Sequence, residues 1–106
     1  MAPLFFDHLV IKTEIIELIN QKSEPENQKG KALQLIDDIL YQGIIDHILE
    51  KLNPQHHGTF LTQVHERPYD PELIEYLKKN VGPEIENDIR TAANKIVKQI
   101  LKDISS

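Results

Sequence analysis

The chain contains no cysteine, which removes disulfides, thiolate metal ligands and cysteine nucleophiles together. Serine is scarce too: Ser23 stands at an expected helix start, and Ser105 and Ser106 form a terminal tail. A buried serine nucleophile with a partner base is therefore not expected. The four glycines, Gly30, Gly43, Gly58 and Gly82, are too scattered to cradle phosphate, so nucleotide-binding loops are excluded. No long apolar run occurs, and no segment is expected to span a bilayer. The first residues do not read as a signal peptide, since Lys12 comes late and Asp7 and His8 interrupt the apolar stretch. A cytoplasmic location is the default.

Positive charge is also in short supply. Lys plus Arg number 12 against 17 Asp plus Glu, for a net charge of -5, and the only arginines are Arg67 and Arg90. Phosphate neutralisation needs a clustered basic face and base readout leans on Arg, so nucleic acid is not an expected partner. Docking on an anionic membrane surface is disfavoured for the same reason. The 106 residues suit one domain spanning 1–106, with a radius of gyration of about 13 Å if compact.

What is present is helical punctuation. Ser23-Glu24-Pro25-Glu26 has the form of a capping box with a first-turn proline. Asn53-Pro54 and Asp70-Pro71 pair a capping side chain with a proline, and Gly82-Pro83 joins a residue suited to positive φ with another first-turn proline. Helices are predicted over 24–52, 54–66, 71–80 and 83–104. In the last, Ile85, Ile89, Ala92, Ala93, Ile96, Val97, Ile100 and Ile104 recur at helical spacing. Thr13 is placed to cap a short helix over 14–21, with residues 1–12 an arm or short helix and 105–106 a tail. The fold class is all-α, with four or five helices in a small orthogonal or bundle-like domain.

The predicted second helix is anomalous, because its apolar stripe moves. Stepping about 100° per residue, Leu33, Ile36, Ile39 and Leu40 lie on one side, whereas Ile44, Ile45, Ile48, Leu49 and Leu52 lie about 150° away. Either the helix kinks near Gly43, or it continues and its halves face different neighbours. The second reading predicts a partner chain and extends the helix into an oligomer interface. Tyr41, Ile44, Ile45, Ile48 and Leu49 are its candidate residues, with Tyr41 at the jump, where neither cluster claims it.

Ile44, Ile48, Leu49 and Leu52, then Asn53-Pro54, Phe60, Leu61 and Val64, then Asp70-Pro71-Glu72-Leu73, Tyr76-Leu77, Val81 and Pro83, form a pattern of apolar spacing and cap prolines. Over residues 33–100 this pattern resembles a family of small helical domains of unknown function from uncultivated, candidate-phylum bacteria. His56-His57-Gly58 departs from the acidic helix start of that family. The resemblance implies a helical fold and transfers no site residue.

Five histidines are the candidates for chemistry. His56, His57 and His65, with His47 or Glu50 across the Asn53-Pro54 corner, offer imidazole and carboxylate to Zn or Ni, although the spacing lacks an i, i+4 pair. Against that stands a solvated reading, with His56 and His57 in a first turn and His65 near a helix C-terminus. Asp37-Asp38 point about 100° apart on a helix and cannot share a site. A helix-turn-helix reader built on Lys78 and Lys79 is opposed by Glu72, Glu75 and Glu84 around them. The function expected is a non-enzymatic protein–protein interaction or self-association module without a cofactor. Its partner is protein, foremost a second copy in a homodimer, and the alternative is the histidine metal site.

Overall fold

Short polar side chains set the helix starts. In the computed structural model, which describes residues 4–21 and 26–105, the Asn53 carbonyl side chain accepts from the Gln55 N–H at 3.1 Å, and Asp70 Oδ1 accepts from the Glu72 N–H at 2.9 Å. Each satisfies an amide that the first helical turn leaves without a partner. Gly82 takes φ +150, a value that disfavours any residue with a Cβ, and reverses the chain between two helices. The helices are α1 (Thr13–Gln21), α2 (Glu26–Lys51), α3 (His57–Glu66), α4 (Glu72–Asn80) and α5 (Ile85–Ser105). Short 3-10 turns occupy Asp7–Leu9 and Pro54–His56, and no strand occurs among the described residues. The expected capping box at Ser23-Glu24-Pro25 lies outside the described residues.

Helix α2 runs unbroken through Gly43 for 26 residues, about 39 Å at 1.5 Å per residue. Its moved stripe has a cause inside the chain, so the shift itself does not call for a partner chain. Ile36 and Leu40 join Ile15 and Ile19 of α1 and Val97 and Ile100 of α5 in a smaller core. Ile44, Ile45, Ile48 and Leu52 enter a larger core with Phe60, Leu77, Ile85 and Ile89. One helix serves two cores, so its apolar side turns between them.

These memberships make α2 and α5 antiparallel, since the N-terminal half of α2 meets the C-terminal half of α5. Gly43 lies at their crossing: a Cβ built there would stand 2.5 Å from Ile96 Cδ1. Glycine at this position permits a close approach and does not break the helix. The long pair draws the molecule out to 47 × 24 × 20 Å, with a radius of gyration of 15.0 Å against about 13 Å for a compact domain of this length.

Within residues 4–9 the chain docks on the core and is not a free arm. Phe5, Phe6 and Leu9 are buried in the larger core, and the Phe5 N–H donates to the Pro68 carbonyl at 2.8 Å. Phe5 meets Phe60 edge to face at 6.1 Å, a favoured aromatic geometry. Lys12 Nζ pairs with Asp37 Oδ1 at 2.8 Å, fixing the approach of α1 to α2.

Candidate functional site

Of the expected interface residues, Ile44 and Ile48 are fully buried and Ile45 nearly so within the single chain. They are ordinary core, because α3, α4 and α5 close over that side of α2. Leu49 and Tyr41 are half-buried against the same core, and the Tyr41 ring lies 6.3 Å from Phe6. The helical wheel had left Tyr41 without a neighbour because Phe6 arrives from the irregular N-terminal segment.

The histidines do not converge. His57 Nε2 donates to the Leu52 carbonyl at 2.8 Å and so satisfies a carbonyl at the end of α2. His56 stands edge-on to Tyr76 at 6.2 Å, and His65 is exposed near the end of α3. Among the described residues, no three His, Asp or Glu side chains are grouped to hold a metal ion. The expected set His56, His57 and His65 is thus dispersed, because a 3-10 turn at Pro54–His56 separates the roles of the two adjacent imidazoles.

Shifted protonation occurs at one surface network. Lys78 Nζ lies 2.6 Å from Glu86 and 3.6 Å from Glu75, and His8 lies 3.8 Å from Glu86. The hydrogen bond between Lys78 and Glu86 raises the lysine above its ordinary value and holds the carboxyl below its own, against partial desolvation of both. This network ties the N-terminal turn, α4 and α5 together. Beside it, Glu66, Arg67, Asp70, Glu72, Glu75 and Lys79 surround an open groove of about 600 Å³ between α3 and α4, floored by Leu73 and Tyr76. Its mixed charges leave no single sign for a ligand to meet.

One side of the α2–α5 pair is unlike the rest. Helix α1, the N-terminal turn, α3 and α4 all pack on the other sides. On this one, α2 presents Leu35, Ile39, Gln42 and Asp46, and α5 presents Lys95 and Gln99, all exposed. Leu35 is 60 % and Ile39 43 % exposed, one helical turn apart on a shared ridge. Where the ridge meets α5, an open groove of about 320 Å³ runs past Gly43, Asp46, His47, Glu50, Ala92, Lys95 and Ile96. His47 Nε2 is buried there with no hydrogen-bond partner among the described residues.

No helix among the described residues is long and apolar enough to cross a membrane. No known family model, curated protein or solved structure matches the chain.

Proposed function

We propose that the chain is a non-enzymatic helical interaction module that associates with a second copy of itself through the open side of the α2–α5 pair. The observation that carries this reading is the exposed ridge of Leu35 and Ile39 on a helix whose other sides are covered. Apolar area of this kind gains free energy when a partner removes it from water. The elongated shape adds support, since a long helix pair open on one side can be completed there by a second pair, as in a four-helix bundle. The metal alternative has no such support, its three histidines being dispersed.

The test is molar mass by light scattering behind size exclusion, over a wide concentration range and with chelator present. The reading expects a concentration-dependent dimer for the native chain and a folded monomer for Leu35→Asp/Ile39→Asp. A native chain that stays monomeric throughout would overturn it.

A further inference from the structure

Resting on that reading, we infer that the second copy lies antiparallel across the first, its α2 crossing the open side of the pair so that Lys31 of each chain meets the acidic end of the other's α2. Along the exposed face of α2 the order is Lys31, then Leu35 and Ile39, then Asp46 and Glu50, all solvent-exposed. Stepping about 100° per residue, these five side chains fall within a sector of about 100°. Exposed Gln42 falls inside the same sector and Asp38 about 20° outside it, so one end of the face is basic, its centre carries the apolar pair beside Gln42 and Asp38, and its other end is acidic. Gln42 Nε2 donates to Asp46 Oδ1 at 2.9 Å and holds that carboxylate on the same face.

A two-fold axis turns this order into complementarity. Lys31 and Asp46 lie 15 residues apart (46 − 31), about 22 Å along the helix. Their midpoint falls beside Ile39. An axis there brings the two Ile39 side chains together beside it, sets Leu35 of each chain over Gln42 of the other, and places Lys31 of each chain at Asp46 of the other. A self-complementary patch of this kind is what an isologous dimer requires. The parallel alternative stacks Lys31 on Lys31 and Asp46 on Asp46, and like charges in contact oppose it. The open groove past Asp46, Ala92 and Ile96 leaves room near the axis for the approaching helix.

The experiment is sedimentation equilibrium on the native chain and on Lys31→Glu, Asp46→Lys, the double variant Lys31→Glu/Asp46→Lys, and Leu35→Asp/Ile39→Asp, with circular dichroism to confirm helicity. Each single reversal is expected to weaken dimerisation about ten-fold, a loss of about 1.4 kcal/mol. The double reversal restores it to within about three-fold of native, because exchanging both signs recreates the pair across the axis. Since the chain has no cysteine, Ile39→Cys supplies a second readout that does not depend on a charged variant folding: mild oxidation is expected to give a covalent dimer. A native chain that is monomeric up to millimolar concentration overturns self-association itself. Dimerisation that survives Leu35→Asp/Ile39→Asp, together with no covalent dimer from Ile39→Cys, overturns this face and leaves self-association standing. Dimerisation lost in Leu35→Asp/Ile39→Asp but not restored by the double reversal overturns only the antiparallel arrangement.

Discussion

Gly43 gives the sharpest test of how α2 and α5 meet. In mid-helix, glycine is about 1 kcal/mol less favourable than alanine, so Gly43→Ala stabilises the helix by itself. Opposing this, the new Cβ would lie 2.5 Å from Ile96 Cδ1 and 3.5 Å from its Cγ1. The nearer atom is the terminal methyl of a half-buried side chain, which can turn aside at a rotamer cost of about 0.5–1.5 kcal/mol. The two terms nearly cancel, and Gly43→Ala alone should change stability by less than about 1 kcal/mol. Ile96→Val removes that methyl and should cost about 0.5–1.5 kcal/mol. In the Ile96→Val background, Gly43→Ala should then recover its full gain, about 1 kcal/mol. The signature is a coupling of about 1 kcal/mol in a double-mutant cycle measured by urea unfolding. Equal stabilisation in both backgrounds would mean that the helices do not approach closely at residue 43. A loss above about 3 kcal/mol in both would mean that the backbone there is not an ordinary helix.

Burial separates two kinds of isoleucine and leucine on α2. Ile48→Ala, in the core, should lose about 2–5 kcal/mol in denaturant unfolding, whereas Leu35→Ala should stay within about 0.5 kcal/mol when the monomer is measured; equal losses would refute the assignment of sides. Asn53→Ala and Asp70→Ala each remove a bond to a first-turn amide and should each lower stability by about 1 kcal/mol in the same assay. Glu86→Gln tests the surface network through pH. The Glu86 carboxyl is held below its ordinary 4.5, so its contribution is present above that value and is lost as the pH falls through the lowered folded value. Lys78 runs the other way: raised above 10.5, it contributes below that value and loses its contribution as the pH rises through the raised one. The stability gap between native and Glu86→Gln should therefore be full at neutral pH and vanish in acid. A gap independent of pH would refute the pairing.

The helix boundaries were legible because they rest on local chemistry. Asn53, Asp70 and Gly82 act through a side-chain bond or a backbone angle within a few residues of themselves, and each is found in the role its sequence context indicates. The turn of the apolar stripe on α2 was legible as well, and so was the alternative that the helix runs through Gly43. The identity of the neighbours was not. A helical wheel gives the direction in which Ile44, Ile45 and Ile48 point, but what stands there is decided by α3, α4 and the N-terminal turn, whose arrival depends on the whole topology. Phe5, Phe6 and Leu9 show the same limit: their spacing fits no single period because a 3-10 turn, held by Asp7 Oδ2 accepting from the Leu4 N–H at 2.7 Å, bends the segment into the core. The exposed ridge of Leu35 and Ile39 was hidden by composition, since both residues sit beside true core positions and only packing tells exposed from buried.

Small-angle X-ray scattering over a concentration series reads the shape of the chain and its association together. At infinite dilution an elongated monomer with a radius of gyration near 15.0 Å is expected, and forward scattering per unit concentration should rise towards twice its monomer value as the chain is concentrated. Forward scattering that stays at the monomer value throughout would contradict self-association through the open side of α2 and α5, and a dilute radius of about 13 Å would contradict the long antiparallel pair itself.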